Sequence, residues 1–322
     1  MKSDKNGEIC TKRYKNLLPE VMSNTIVAVT TGVTSILIII CIIGNSLVCA
    51  VIKRNRDMRT PINYLLVNIA VADIFYSTFH VSELIFRHIP TKPEGLSGKA
   101  FCFLRNSSIQ WIGAACSAST LVVIAVERYF AVRNLHGNQR NLSKGTLKVI
   151  ISSSWIFSIV LTLPAFFATN QKPDTNDCLP QEQWMYQLGI VSLSVFILFS
   201  SVVMAALYSR VIYTLWFKYP GGLVLPPDQQ AFLKVRKRVT LMVMTVTAMF
   251  TLFWYSDVVI HLLERFYFFK RLLLPRAIVH TMLMFNASLN PFAYALLNQR
   301  FRGKIKEMVF RGPQLPGQQA LS

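Results

Sequence analysis

Residues 25–52 read TIVAVTTGVTSILIIICIIGNSLVCAVI, and not one of them is charged. A helix rises 1.5 Å per residue, so about 20 apolar residues cross a hydrocarbon core of ~30 Å. The run exceeds that length and stops at Lys53 and Arg54, where charge can return to water. Six further runs follow, at 62–86, 103–132, 146–169, 185–217, 232–263 and 272–297. Strands of a membrane barrel would be shorter and would alternate polar with apolar residues. The expected fold is therefore an all-α membrane protein, a seven-transmembrane-helix bundle. Residues 1–24 are polar and lack the short apolar core of a signal peptide, so the first span serves as its own signal and anchor. The organisation is an extracellular N-terminus over 1–24, a bundle over 25–297, and a cytoplasmic amphipathic helix with its tail over 298–322.

Composition agrees. Apolar residues make up 52% of the 322, charged residues 15%, and mean hydropathy is +0.40. Soluble domains carry about 25% charge, more than this chain has to cover a watery surface. The net charge of +19 would suit a nucleic-acid binder only if it formed a patch on a soluble fold. Here the bases sit in short clusters between apolar runs, and no nucleic-acid partner is expected. The larger share of Lys and Arg falls in the loops after spans one, three and five and in the tail, which puts the C-terminus inside and the N-terminus outside. Under this topology Cys102 and Cys178 share the outer face, where a disulfide finds an oxidising space. Cys41, Cys49 and Cys116 lie within apolar runs, and Cys10 has no evident partner. The loop at 219–230 contains Pro220, Gly221, Gly222, Pro226 and Pro227 and reads as a tight linker. In 299–310, Phe301, Ile305, Met308 and Val309 alternate with Arg302, Lys304 and Lys306, an amphipathic pattern suited to anionic inner-leaflet lipids.

Ionisable groups inside lipid cost a few kcal/mol and mark function by default. Asp73 lies mid-span in Asn68-Ile69-Ala70-Val71-Ala72-Asp73. Glu127-Arg128-Tyr129 ends the third span. Asn290-Pro291-Phe292-Ala293-Tyr294 closes the seventh, where proline frees a backbone carbonyl that polar neighbours must satisfy. Together with Gly44-Asn45-Ser46-Leu47-Val48, Cys102, Trp155, Tyr208, Phe250 and Trp254, these motifs make the chain resemble a rhodopsin-like (class A) G-protein-coupled receptor over about residues 25–310. The resemblance implies a ligand outside and a heterotrimeric G protein inside, at a multi-pass site in the plasma membrane. It implies a sodium ion, and no other cofactor, in a pocket of Asp73, Asn45, Ser117, Asn286 and Asn290; oxygen donors suit such a hard cation. It assigns Trp254 and Phe250 to a switch in span six, Arg128 with Glu127 and Tyr129 to G-protein coupling, and Tyr208 and Tyr294 to hydrogen-bond support of Arg128.

The chain also departs from the family pattern. Ser200 and Ser256 stand where prolines are usual, Ala118 replaces a bulky aliphatic residue, and Leu135 replaces the usual proline of the second inner loop. Cys102 and Arg128 are one residue further apart than usual, which implies a bulge. The foot of span six reads Lys234-Val235-Arg236-Lys237-Arg238, with no acid to clamp Arg128, so a closed state lacking a clamp and signalling without ligand are expected.

Two ligand classes can be set aside. A retinal Schiff base needs a lysine in span seven, where Met284 stands; a monoamine needs an acid in span three, where Gln110 stands. Glutamine hydrogen-bonds but cannot neutralise a cation, and Gln110 is similar to what some neuropeptide receptors carry. The remaining outer polar set is Glu83, Gln110, Asp257, His261 and His280. Glu83 and Asp257 suit an Arg or a basic terminus, which makes a peptide with one basic anchor the leading ligand and a lipid or small organic ligand the alternative. A seven-helix transporter or ion pump would show related halves, and none is evident. An enzyme would need a clustered catalytic constellation, and His80, His88, His136, His261 and His280 are scattered along the chain.

Overall fold

The computed structural model describes residues 5–88, 95–106, 109–133, 142–171, 178–180, 183–218, 227–266 and 273–310. The described helices are α1 (Lys5–Arg54), α2 (Pro61–His88), α3 (Gly95–Asn106), α4 (Gln110–Arg133), α5 (Lys144–Phe167), α6 (Gln183–Ile212), α7 (Pro227–Phe266), α8 (Leu273–Leu297) and α9 (Gln299–Phe310). The long ones α1, α2 and α4–α8 each overlap one of the seven apolar runs, although α1 already begins at Lys5, within the stretch expected as a separate N-terminus. All of these but α8 are apolar enough for their length to cross a membrane. α8 has the length, at 25 residues, but its Asn286, Ser288 and Asn290 lower its hydropathy. Those three are buried in the bundle, where α8 packs against α1 and α7 as the seventh member.

Local chemistry sets the helix ends. Pro61 and Pro227 open α2 and α7, at the first helical position where the missing N–H costs nothing. Pro227 therefore belongs to α7, and the linker expected over 219–230 is shorter than its proline content implied. The Ser143 hydroxyl accepts the amide of Thr146 at 3.1 Å and caps α5. Asn298 caps α9, its Oδ1 accepting from the Phe301 amide at 3.2 Å. α9 spans the stretch read as amphipathic: Phe301 is buried, and Ile305 and Met308 pack on the core.

The third run is covered by α3, which ends at Asn106, and α4, which begins at Gln110; residues 107–108, within the stretch expected to hold a bulge, lie outside the described residues. Beside the all-α bundle lies a small antiparallel pair of three-residue strands, β1 (Thr169–Gln171) with β2 (Cys178–Pro180), pairing Gln171 with Cys178. The intervening KPDTND is rich in turn formers, and the strands lie beside α3. The hairpin marks one end of the bundle and α9 the other.

Packing is inside-out relative to a soluble protein. Large apolar side chains such as Ile43, Phe199, Val202 and Leu296 point outward, while polar groups are kept within. Small residues let backbones approach. A Cβ on Gly113 of α4 would lie 2.6 Å from the Ala72 carbonyl oxygen of α2, and one on Gly189 of α6 would lie 2.5 Å from the Ala165 Cβ of α5. A hydrogen-bonded chain crosses the same region: the Trp155 indole donates to Asn68 Oδ1 at 3.0 Å, and Asn68 Nδ2 donates to Thr120 Oγ1 at 2.8 Å. It ties α5, α2 and α4 together.

Candidate functional site

Three polar layers interrupt the apolar interior. The middle one is built on Asp73 of α2, which is 6% exposed. Ser117 of α4 donates to its Oδ1 at 3.2 Å, and Asn290 of α8 donates to its Oδ2 at 2.7 Å. Asn45 of α1 donates instead to the carbonyls of Cys41, at 3.0 Å, and Ala287, at 3.2 Å, which fastens α1 to α8. Asn286 precedes Asn290 by one helical turn and so shares its face. Four oxygens of this layer, Asn45 Oδ1, Asn286 Oδ1, Asn290 Oδ1 and the Tyr294 hydroxyl, are buried without a partner among the described residues. A buried carboxylate with two neutral donors and idle acceptors around it is a donor set of oxygens, the kind a hard cation or ordered water satisfies. Sequence reading anticipated all five residues. It missed that the buried thiol of Cys41 adjoins the layer, accepting from Ser77 Oγ at 3.0 Å.

The layer at the hairpin end divides into two groups. On α2, His80 Nδ1 lies 2.9 Å from Gln110 Oε1 and 3.5 Å from Glu83 Oε2, and Gln110 Nε2 donates to Glu83 at 3.3 Å. His280 of α8 joins this group through its ring, 6.3 Å from that of His80. On α7, His261 Nδ1 lies 2.9 Å from the Asp257 carbonyl and 3.5 Å from its Oδ2. Asp257 and His261 line a cavity with Trp111, Tyr186 and Trp254. Trp111 joins the two groups, its ring 5.8 Å from Trp254 and 6.3 Å from His280. Phe250 sits below Trp254 at 5.6 Å, a continuous aromatic line from the cavity toward the core. The five expected ligand residues are thus all at one end but not in one cluster. His80 and Trp111 were missed. The histidines looked scattered along the chain, yet His80 and Glu83 are three residues apart on one helix, a spacing that could have paired them.

The third layer lies at the α9 end. Arg128 and Glu127 form a bidentate pair, Nε to Oε2 at 2.5 Å and Nη2 to Oε1 at 2.7 Å. The support expected from two tyrosines is not made here: Tyr208 pairs with Thr247 at 3.4 Å, and Tyr294 packs edge-on to Phe301 at 6.3 Å. Tyr129 packs beside a small apolar cluster of Val132, Val211, Leu215 and Leu233. Arg236 of α7, 7% exposed, donates through Nη1 to the Ala131 carbonyl of α4 at 2.5 Å. The acceptor is a neutral backbone carbonyl, which no sequence motif displays.

Cys102 is disulfide-bonded. The expected partner, Cys178, has its side chain outside the described residues, although β2, which it opens, lies against α3. Cys41, Cys49 and Cys116 are free.

A long-helix bundle with an inward polar interior and an apolar exterior defines a multi-pass membrane protein. Residues 44–294 match the profile of the 7 transmembrane receptor (rhodopsin family), and the chain belongs to that family, one of signalling receptors and not of enzymes. It is 27% identical over 297 residues to the RYamide receptor of Drosophila melanogaster, covering 86% of this chain and 62% of that protein. It is 28% identical over 289 residues to neuropeptide receptor 22 of Caenorhabditis elegans, covering 83% and 66%. Against the human substance-K receptor it is 26% identical over 291 residues, covering 85% and 71%. The chain thus spans just under two thirds of the length of the first two relatives.

Proposed function

We propose that the chain is a plasma-membrane G-protein-coupled receptor, N-terminus outside, for an extracellular peptide carrying one basic anchor. The observation that carries this reading is the pair of acids Glu83 and Asp257, on separate helices at one end, flanking the Trp111–Trp254 aromatic line. An Arg or basic terminus between them would gain charge-assisted bonds while an aromatic side chain fills the space above Trp254. The names of the relatives, RYamide receptor and neuropeptide receptor 22 among them, support a peptide as the ligand class. In this reading Trp254 and Phe250 relay ligand contact inward, Glu127, Arg128 and Tyr129 meet a heterotrimeric G protein, and α9 rests on anionic lipid. Cys102 pairs with Cys178, holding the hairpin over the pocket. Asp73 and Ser117, with the idle oxygens of Asn45, Asn286 and Asn290, fit a sodium ion. When bound, the ion supplies the positive charge that the layer lacks and favours the resting arrangement.

The test screens surface-expressed receptor against a peptide library for changes in cAMP and calcium, then examines an Arg-bearing agonist. Glu83→Gln and Asp257→Asn should each weaken it by roughly 1.5–3 kcal/mol, the scale of a hydrogen bond to a charged group. Unchanged potency in both variants would reject the basic anchor and favour a lipid or small organic ligand.

A further inference from the structure

Each of the two acids at the hairpin end has a histidine beside it on its own helix. On α2, His80 Nδ1 lies 3.5 Å from Glu83 Oε2. On α7, His261 Nδ1 lies at the same 3.5 Å from Asp257 Oδ2. The helices differ, and so do the spacings, three residues in one and four in the other, yet one contact is built twice. The four side chains are 4–15% exposed, so salt and bulk water screen them weakly.

The remaining contacts assign the hydrogen on each ring. His80 Nδ1 also lies 2.9 Å from Gln110 Oε1, while Gln110 Nε2 donates to Glu83 at 3.3 Å. His261 Nδ1 also lies 2.9 Å from the Asp257 carbonyl. Each Nδ1 thus faces two oxygens and is assigned as the donor, which leaves Nε2 to take a second proton. That proton makes the ring a cation whose Nδ1–H is already directed at a carboxylate, and histidine is the side chain that changes charge between pH 5 and 8. Among the described residues, the other titratable or charged groups beside these pairs come from three helices. Tyr76 of α2 stacks on His80, rings 6.1 Å apart, and His280 of α8 lies 6.3 Å from it. Arg276 of α8 acts on His261 and His280, and Tyr186 of α6 shares the cavity with Asp257 and His261. Gln110 and Trp111, which face them from α4, do not titrate. His280 Nε2 has no partner among the described residues, so His280 lacks the carboxylate contact of the other two.

We propose that His80 and His261 make this site proton-gated: a cationic ligand binds while both rings are neutral, and protonating them turns Glu83 and Asp257 into internal ion pairs that release it. The gate rests on the reading of Glu83 and Asp257 as anchors of a basic ligand. Its sign follows from charge. With neutral rings the two pairs carry two negative charges; with both rings protonated they carry none, and an incoming guanidinium meets two like charges. Affinity therefore falls as pH falls, and protons and ligand oppose each other's binding reciprocally.

The experiment titrates the full chain in lipid nanodiscs with the blocked dipeptide acetyl-Trp-Arg-amide, followed by ligand-observed NMR at about pH 7.4 and about pH 5.5, either side of the histidine range. The guanidinium is the only charge on this probe and stays protonated throughout, so a change with pH belongs to the protein. Wild-type affinity should fall about tenfold or more at the lower pH, within the usual span of coupling between two ligands. His80→Asn and His261→Asn keep a nitrogen donor near the Nδ1 position and cannot take a proton. Each should shrink the fall, and the double variant should show less than about a twofold difference between the two conditions. An undiminished fall in both single variants or in the double variant, or tighter wild-type binding at the lower pH, would overturn the gate. Wild-type binding that needs Glu83 and Asp257 but is equally strong at both pH values would overturn the gate and leave the anchors standing. No binding at about pH 7.4, or binding there that is indifferent to Glu83→Gln and Asp257→Asn, would remove the anchors and the gate with them.

Discussion

The Asp73 layer and the foot of α7 both bring charge into an apolar bundle, and they handle it in opposite ways. Around Asp73 the carboxylate meets only neutral donors, and four nearby oxygens have no partner among the described residues. At the foot, Arg128 is bidentate to Glu127 and Arg236 donates to the Ala131 carbonyl of α4. The first layer is short of positive charge and donors; the second has matched its cations internally. A buried group left unmatched costs free energy until something arrives to complete it. The middle layer is thus suited to receive an ion or water, whereas the cations at the foot already have partners within the protein.

The largest effect expected from breaking this contrast is at Asp73. Asp73→Asn keeps the shape and removes the charge that makes the layer need a cation. Couplings between two ligands on one receptor are commonly about 1–3 kcal/mol, roughly five- to 150-fold. Agonist affinity that falls with sodium in the wild type should become indifferent to it in the variant, a change of tenfold or more. The comparison is agonist competition in sodium chloride against choline chloride at one ionic strength. Sodium dependence that survives in Asp73→Asn removes the ion from this layer.

How far the chain could be read in advance follows the same division. The spans were legible because hydrocarbon imposes a length, and residues such as Ile43 and Leu296 need only be apolar to face it. In the Asp73 layer, Asp73 and Asn290 were legible because polar residues amid apolar ones stand out in any register, whereas Ser117 and Asn286 entered only through the family resemblance. The contact of Arg236 was not legible because its acceptor is the main chain of Ala131, and main-chain acceptors exist at every position. His80 was passed over for a related reason: its value lies in Gln110 and His280, which arrive from other helices.

A smaller effect sharpens the other side of the contrast. Glu127→Gln leaves Arg128 with a neutral partner and restores its repulsion toward Arg236. The pair is partly buried, with side chains 19% and 11% exposed, so it sits at the upper end of what surface ion pairs contribute, about 1 kcal/mol. Ligand-free signalling per surface receptor should rise about fivefold. Output equal to wild type would show that Glu127 does not keep Arg128 and Arg236 compatible, and the foot would lose its claim to be internally matched.

The smallest effect asks whether an idle oxygen is by itself a sign of function. Ser200 of α6, 1% exposed, also has a hydroxyl without a partner among the described residues, but unlike Asp73 it carries no charge of its own to draw in an ion. If idle acceptors matter only where a charge makes them useful, this hydroxyl is a local cost of substituting serine for the family's proline. Ser200→Ala removes the polar atom and little volume. Recovering part of the desolvation cost of an unpaired hydroxyl should stabilise the fold by about 0.5–1 kcal/mol, roughly 1–3 °C in the melting temperature of detergent-solubilised protein. Sodium dependence should be unchanged. A lower melting temperature would mean that the hydroxyl is bonded in the membrane, and a lost sodium effect would extend the ion-binding layer to α6; either result would erase the distinction between charged and uncharged orphans.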